Sequence, residues 1–141
     1  EMHSYHQTLN HGDFNPRNLC FRDRHGEPEL CLFDWELATY QNPQRDLIEF
    51  LCYVLTEDQP IDVWKKYIEF YLLELEERLD ASLDTDSFYR ILHFNTILFG
   101  LTRMNLYYLA HNVANFPFLE RIYKSLTHFT LNNDIRLRKP A

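Results

Sequence analysis

The sequence has 141 residues, the length of a single domain that can bury its own hydrophobic core. Its hydrophobic content is 45%, and its low count of three glycines argues against a loop-rich or all-β protein. The formal net charge of −7 disfavours a general nucleic-acid-binding surface. No apolar run reaches membrane-spanning length and no signal peptide is visible, so we expect a cytoplasmic protein whose partners include neither nucleic acid nor membrane.

The first informative stretch lies at residues 11–18, which read His-Gly-Asp-Phe-Asn-Pro-Arg-Asn. The spacing H-x-D-x-x-x-x-N is typical of the catalytic loop of kinase-type phosphoryl-transfer enzymes. Gly12 permits backbone angles that other residues avoid, and Pro16 stiffens the loop. An acidic base and an amide ligand on one short loop can face the same phosphate from two sides. Taken alone, the octet is equally compatible with an ordinary polar turn.

A β-hairpin follows the loop. Residues 18–22 and 29–33 are two short apolar runs, and residues 23–28 form a turn that contains Gly26 and Pro28. Pairing of the two strands brings Asn18, at the start of one, close to Asp34, at the end of the other. A magnesium site at this end of the hairpin is therefore a consequence of strand pairing, since Mg²⁺ prefers oxygen ligands.

These motifs together resemble the aminoglycoside phosphotransferase and choline kinase group. The group is marked by H-G-D or H-N-D, four residues and an Asn, then a strand that ends in D-x-D/E, as in Phe33-Asp34-Trp35-Glu36 here. The resemblance continues through Pro43, Arg45, Asp46 and Leu47 and covers residues 9–55. It implies a kinase-like fold and transfer of the γ-phosphoryl group of ATP or GTP to a hydroxyl of a small molecule.

The resemblance also implies individual roles. Asp13 is implied as the base that accepts the proton of the acceptor hydroxyl. Asn18 and Asp34 are implied as the ligands of Mg²⁺ and, through the metal, of the nucleotide, with Glu36 as a further, outer metal partner. A complete enzyme of this kind needs Mg²⁺ and a nucleotide as phosphoryl donor.

Two further residues are implied as structural support for the loop. His11 is expected to fix the loop by hydrogen bonds rather than to act as a base. Asp46 falls in the first turn of a predicted helix, where a carboxylate complements the helix dipole. In the family the matching Asp also braces the catalytic loop, and the two roles are compatible.

Four helices are predicted after the hairpin, from the spacing of apolar residues and from capping signals. Their expected bounds are about Gln44 to Leu55, Pro60 to Leu79, Asp84 or Thr85 to Asn112, and Pro117 to Leu131. The third helix is apolar on more than one side, which places it in the middle of the lobe. The predicted fold class is thus α+β and mainly α-helical, with a short β-hairpin that carries the catalytic and metal loops packed on about four helices.

The predicted central helix also carries polar residues, and in related kinases the C-terminal helices wall the substrate pocket. Each of these side chains is individually explained by a structural hydrogen bond, so contact with a substrate stays one of two interpretations. The residues are Asn95, Thr102, Arg103, Asn105, Tyr107, Tyr108 and His111.

The three cysteines indicate neither a disulfide framework nor a zinc site, because their number is odd and no C-x-x-C pair occurs. Cys20 and Cys31 can face each other across the hairpin. We interpret them as small buried hydrophobic residues.

No G-x-G-x-x-G loop occurs anywhere in the 141 residues, and only ten residues precede His11. A kinase of this type needs such a loop and a strand lysine with its Glu partner. We therefore expect residues 1–141 to form the C-terminal lobe of a phosphotransferase whose N-terminal nucleotide lobe is absent, and the isolated chain to be inactive. The missing lobe would be a partner, and the surfaces that normally face it could support self-association.

Two other functions remain open at this point. The chain could be a non-catalytic helical binding module that keeps the family scaffold. It could also be a metal hydrolase that uses His3, His6, His11 and Asp13, although terminal histidines on the surface explain this cluster more simply.

Overall fold

A computed structural model describes residues 6–133 of the chain. Helices dominate, and the strands are short. The strands are β1 (Thr8–Asn10), β2 (Leu19–Arg24), β3 (Glu27–Leu32) and β4 (Thr39–Gln41), and the α-helices are α1 (Gln44–Val54), α2 (Ile61–Leu79), α3 (Thr85–Leu98), α4 (Asn105–His111) and α5 (Leu119–Asn132). A π-helical segment, Phe99–Met104, joins α3 to α4, so that the helices form four continuous helical units. The predicted fold class is confirmed.

The predicted hairpin is present and is longer than the sequence indicated. Strands β2 and β3 pair antiparallel from Leu19 opposite Leu32 to Arg24 opposite Glu27. The turn is reduced to His25 and Gly26, both with positive φ, as a tight two-residue hairpin turn requires. The Asp23 carboxylate accepts a 2.8 Å hydrogen bond from the Gly26 backbone N–H and fixes this turn.

Pro28 was predicted to lie in the turn, but it lies within β3 opposite Asp23. The pair Asn18–Phe33 exchanges a backbone hydrogen bond of 3.1 Å, and such pairs alternate with non-bonded ones along an antiparallel ladder. The position of Pro28 is therefore a non-bonded one, where its missing N–H costs no ladder bond.

The predicted facing of Cys20 and Cys31 across the hairpin is observed, and both are free thiols. The interpretation of Cys20 and Cys31 as small buried residues was wrong, because Cys20 is exposed and Cys31 only partly buried. The hairpin projects from the helices, and its residues Phe21 and Leu30 are also exposed. Cys52, in α1, is buried.

A second two-stranded sheet, which the sequence did not reveal, pairs β1 with β4. Thr8 lies opposite Gln41, and Asn10 lies opposite Thr39. The Asn10 side chain adds a 2.9 Å hydrogen bond from Nδ2 to the Gln41 carbonyl. This sheet brings the start of the loop at residue 11 next to the start of α1, which begins three residues after β4.

The core lies between the helices. Its fully buried large side chains come from all four helical units: Ile48, Trp64, Ile68, Leu92, Ile122 and Phe129. Trp64 of α2 stacks on Phe129 of α5 with ring centroids 5.2 Å apart. Burial of side chains of this size contributes roughly 1.5–3 kcal/mol each to folding.

The third helical unit differs from its prediction. The prediction had apolar residues on more than one side of this helix. Ile91 is buried, but three apolar residues on another side are exposed: Phe94, Ile97 and Leu101. Placement in the middle of the lobe, covered on both sides, is therefore wrong for the described residues. The same unit also contains the π-helical segment. A π-turn has one residue more than an α-turn, so that the side chains after Leu98 lie on different sides of the helix than in a regular α-helix.

None of the helices in residues 6–133 combines the length and the apolar character that crossing a membrane requires.

Candidate functional site

The loop at residues 11–18 is anchored to α1 by one carboxylate. Asp46, in the first turn of α1, accepts hydrogen bonds from the backbone N–H groups of His11 at 2.5 Å and Gly12 at 3.1 Å. Burial raises the pKa of Asp46 above its ordinary value, and these two hydrogen bonds act against that rise. The loop geometry thus depends on a residue 34 positions away from Gly12.

His11 ties the same loop to the hairpin. Its ring is 2% exposed, and its Nε2 lies 2.8 Å from the carbonyl oxygen of Phe33, so that Nε2 carries the ring proton and donates it. Trp35 covers the imidazole, with ring centroids 4.6 Å apart. Both predicted supporting residues, His11 and Asp46, are placed where they can hold the loop.

Gly12 is required by the packing as well as by the backbone. Its φ is +80°, in the region that favours glycine, and a Cβ there would lie 2.2 Å from the carbonyl oxygen of Leu37. The turn at Leu37 therefore packs directly on the loop backbone, and the residue after Gly12 is held in a fixed position.

That residue, Asp13, is at the centre of a hydrogen-bond network. Its Oδ2 accepts from Asn18 Nδ2 at 2.8 Å, and its Oδ1 accepts from Asn15 Nδ2 and from the Tyr107 hydroxyl, each at 3.1 Å. Asn15 also accepts from the Arg17 backbone N–H and so caps the short 3₁₀ turn Pro16–Asn18. The turn brings Asn18 back towards Asp13, which explains the five-residue spacing of the motif.

The strongest partner of Asp13 is Arg103, on the π-helical segment. The guanidinium Nη2 lies 2.5 Å from Asp13 Oδ1 and 3.1 Å from the Gly12 carbonyl oxygen. Burial by itself would raise the pKa of Asp13, but the Arg103 charge and the hydrogen bonds from Asn18 and Tyr107 outweigh it. The pKa of Asp13 is therefore held below its ordinary value, and the carboxylate is ionised at neutral pH.

A second carboxyl group, Glu49 of α1, lies behind this pair. Its side chain is 2% exposed, and its Oε1 is 3.6 Å from Arg103 Nε, too long for a hydrogen bond. Burial raises the pKa of Glu49 to about 8, because one guanidinium cannot compensate two buried carboxylates. Glu49 is thus the neutral acid and Asp13 the ionised base of the cluster.

The backbone places the predicted metal ligands Asn18 and Asp34 at the same end of the hairpin. Asn18 is buried. The backbone N–H of Phe33 donates to the carbonyl oxygen of Asn18, so that Asp34 is the first residue after this last pair of the hairpin. Asp34 has a left-handed backbone (φ 64°), is exposed, and does not cap the short turn Trp35–Leu37 that follows. Glu36 lies in that turn and is also exposed.

These residues fit a magnesium ion by the chemistry of their donors. Asn18 uses its Nδ2 for Asp13, so that its carboxamide oxygen is not used in those bonds, and the Asp34 carboxylate is accessible. Mg²⁺ takes one or two protein carboxylates and completes its shell with water and phosphate oxygens.

The hydrolase hypothesis gains no support from the geometry. Within residues 6–133, no three His, Cys, Asp or Glu side chains lie together in a way that could hold a metal. His3 lies outside the described residues.

Three residues around Asp13 were not predicted as site residues from the sequence: Arg103, Tyr107 and Glu49. Arg103 and Tyr107 were noted as polar members of a helix, and their spacing of four, which puts both on one helix face, was the available signal. Glu49 was overlooked, and its position between Ile48 and Phe50 in an apolar helix was the available signal that its carboxyl group is buried.

Comparison with known proteins relates the chain to a known family. Neither the curated proteins nor the solved structures contain a significant match. The model of the ecdysteroid kinase-like family matches residues 1–82, more than half of the 141 residues. The kinase-like resemblance is thereby confirmed, whereas the narrower placement with the aminoglycoside phosphotransferases and choline kinases is not supported. The chain belongs to the ecdysteroid kinase-like family.

Proposed function

We propose that the chain is the catalytic-loop part of a small-molecule kinase, which transfers the γ-phosphoryl group of ATP or GTP to a hydroxyl. The ecdysteroid kinase-like family supports a kinase-like phosphotransferase in general. Its name makes the hydroxyl groups of ecdysteroids the first acceptors to test.

The observation that carries the proposal is the state of Asp13. Its carboxylate is ionised, one-fifth exposed, and hydrogen-bonded to Asn18, the residue five positions on. A base for phosphoryl transfer has to be deprotonated and held within reach of the acceptor hydroxyl. Asp13 meets the first condition because of Arg103 and stays in place because of Asn15, Asn18 and Tyr107.

In the proposed reaction, the acceptor hydroxyl donates a hydrogen bond to Asp13, and its proton passes to that carboxylate as the oxygen attacks the γ-phosphorus. The bond from the γ-phosphorus to the oxygen that bridges it to the β-phosphate breaks in the same transfer, and the nucleoside diphosphate is the leaving group. Mg²⁺, when bound, would supply positive charge to the phosphate oxygens, with the Asn18 carboxamide oxygen and the Asp34 carboxylate as its protein ligands and Glu36 as an outer partner. Asn18 thus has two tasks, since its Nδ2 orients the base while its oxygen remains for the metal.

A non-catalytic binding module is the alternative function. A scaffold kept only for binding would have no reason to retain Asp13, Asn18 and Asp34 together. All three are present, and Asp13 and Asn18 hydrogen-bond to each other. These facts favour catalysis over binding alone.

The test uses a protein that contains this chain together with a nucleotide-binding lobe. Asp13→Asn should lower kcat by about 10²-fold or more, because a general base contributes this much, and should leave the affinity for nucleotide nearly unchanged. Asp34→Ala should weaken metal-dependent nucleotide binding as well. Asp86→Asn, at an exposed position in the first turn of α3, is the matched control. Full turnover in both site variants would refute the assignment and favour the binding module.

A further inference from the structure

Two free thiols lie opposite each other on the projecting hairpin. Cys20 of β2 pairs with Cys31 of β3 in the antiparallel register. Directly opposite side chains of such a pair project from the same face of the sheet. Bonded and non-bonded pairs alternate, and Asn18–Phe33 is a bonded pair, so that Cys20–Cys31, two pairs further along, is bonded as well. The Cα atoms of a bonded pair lie about 5.5 Å apart, close to the commonest Cα spacing across a disulfide.

The register that sets this pair is held on both sides. Towards the turn, the Glu29 carboxylate accepts hydrogen bonds across the strands from Arg22 at 2.7 Å and from Arg24 at 3.0 Å. Towards the other end, the Phe33 backbone N–H donates to the Asn18 carbonyl oxygen at 3.1 Å. A turn of only two residues fixes the register further, because the strands cannot slip without a change of turn. The two thiol side chains are therefore held close to each other.

Both thiols of the pair are accessible to solvent. Cys20 is exposed and Cys31 is partly buried, whereas Cys52 in α1 is buried. Thiol–disulfide exchange requires that a reagent reach the sulfur. Cys20 is therefore the thiol that a dissolved disulfide reaches first, and Cys52 is protected by the core.

The surroundings of the pair favour disulfide chemistry over metal binding. A structural zinc site needs four ligands, of which two thiols supply only half. Among residues 6–133, no third His, Cys, Asp or Glu lies with these thiols in a way that could hold a metal. A disulfide needs only the two sulfurs.

We infer that Cys20 and Cys31 are a redox modification site, where they form a reversible cross-strand disulfide by exchange with a low-molecular-weight disulfide. The inference does not depend on the proposed function. Disulfides that are exposed to solvent are typically the labile ones, so that an excess of a small thiol should reverse the modification.

The exchange takes place in two steps, written here for oxidised glutathione. The Cys20 thiolate attacks one sulfur of the reagent, a mixed disulfide forms, the S–S bond of the reagent breaks, and one glutathione thiolate leaves and takes up a proton. The Cys31 thiolate then attacks Cys20 Sγ, the mixed disulfide breaks, and the second glutathione leaves in the same way. In total, two protein thiols lose two electrons and two protons, and one oxidised glutathione becomes two molecules of glutathione.

The experiment equilibrates the folded 141-residue chain in buffers of increasing ratio of oxidised to reduced glutathione. The reaction is stopped with acid, free thiols are alkylated, and mass spectrometry of the intact chain and its peptides locates the disulfide. Cys20 and Cys31 should be lost together as one intramolecular cross-link, while Cys52 stays a free thiol. In urea, the equilibrium constant for the same cross-link should be at least about tenfold lower, because strand pairing no longer holds the two sulfurs together.

Three serine variants are the matched controls. Cys31→Ser should stop at a mixed disulfide of Cys20 with glutathione, and Cys20→Ser should form no cross-link. Cys52→Ser should cross-link as the wild type does. The first two replace side chains outside the core, and circular dichroism checks that each variant is folded.

Three results would overturn the inference. They are free thiols at both hairpin cysteines at every glutathione ratio, a mixed disulfide that persists on the wild type, and cross-links between two copies of the chain in place of the internal one. An equilibrium constant that is unchanged in urea would also overturn it, since strand pairing would then have no part in the reaction. If the internal disulfide forms and a lobe-containing protein shows no phosphoryl transfer, the inference holds and the proposed function fails.

Discussion

Arg103 and Asp13 are 90 residues apart in the sequence, yet they form a 2.5 Å ion pair with side chains that are 16% and 20% exposed. The pair joins the π-helical segment to the catalytic loop. Mid-helix π turns occur often at functional sites, and this one supplies the charge that keeps Asp13 ionised.

We expect Arg103→Met to lower the free energy of unfolding by about 3 kcal/mol, because it leaves Asp13 without its counter-charge in a largely buried site. Urea denaturation measures the change. The control is Arg22→Met in the exposed pair with Glu29, which should lower the free energy of unfolding far less, because solvent screens that pair. Equal losses of unfolding free energy in the two variants would show that the Arg103–Asp13 pair stabilises the chain no more than the exposed pair does.

Gly12→Ala should destabilise the chain more than Gly26→Ala, although both glycines have positive φ. At Gly26 no atom lies within 4 Å of an added Cβ, so that only the backbone penalty of about 1–2 kcal/mol applies. At Gly12 the Cβ meets the Leu37 carbonyl, and the overlap adds about 1–3 kcal/mol. The urea midpoints of unfolding of the two variants measure this difference. A decrease for Gly26→Ala as large as that for Gly12→Ala would contradict the close packing of Leu37 on the loop.

Glu49 should make the chain less stable as the pH rises from about 5 to 8. Its pKa is raised in the folded state, to about 8, so that the folded chain binds a proton that the unfolded chain releases near its ordinary pKa of 4.5. Below that value both states are protonated and Glu49 contributes no pH dependence. Above it, stability falls by at most about 1.4 kcal/mol per pH unit until the folded carboxyl also ionises.

Glu49→Gln removes this titration. The difference in unfolding free energy between the wild type and Glu49→Gln, measured by urea denaturation at several pH values, should therefore change through this window in favour of the variant. A difference that is constant from pH 5 to 8 would mean that Glu49 is already ionised in the folded chain.

The 141-residue chain by itself should neither bind Mg-ATP or Mg-GTP tightly nor transfer phosphate. It has side chains that we propose as metal ligands, but a metal on one or two carboxylates depends on substrate phosphates to complete its shell. No glycine-rich loop in these residues holds the phosphates. Calorimetry with each nucleotide and a phosphoryl-transfer assay test this prediction. Micromolar binding, or turnover that disappears in Asp13→Asn, would show that the chain is more self-sufficient.

The sequence was enough to predict whatever depends on neighbouring residues. The hairpin and the four helical units follow from apolar spacing, turn residues and caps, such as Asp84 at the start of α3. The position of Asn18 and Asp34 at the same end of the hairpin follows from strand pairing. The assignment of Asp13, Asn18, Asp34 and Glu36 to catalysis and metal binding stays a prediction.

The tertiary structure decided what depends on residues far apart in the chain. The buried cluster of Asp13 with Glu49, Arg103 and Tyr107 joins the loop to α1 and to the third helical unit, and no local pattern encodes which distant charge fills a buried site. A sequence pattern with a fixed period of 3.6 residues likewise does not predict the π-helical segment or the change in side-chain direction after it. Local preferences act over a few residues, whereas a buried charge finds its counter-charge only when the helices have packed. The ionised state of Asp13 is therefore a property of the fold rather than of its motif.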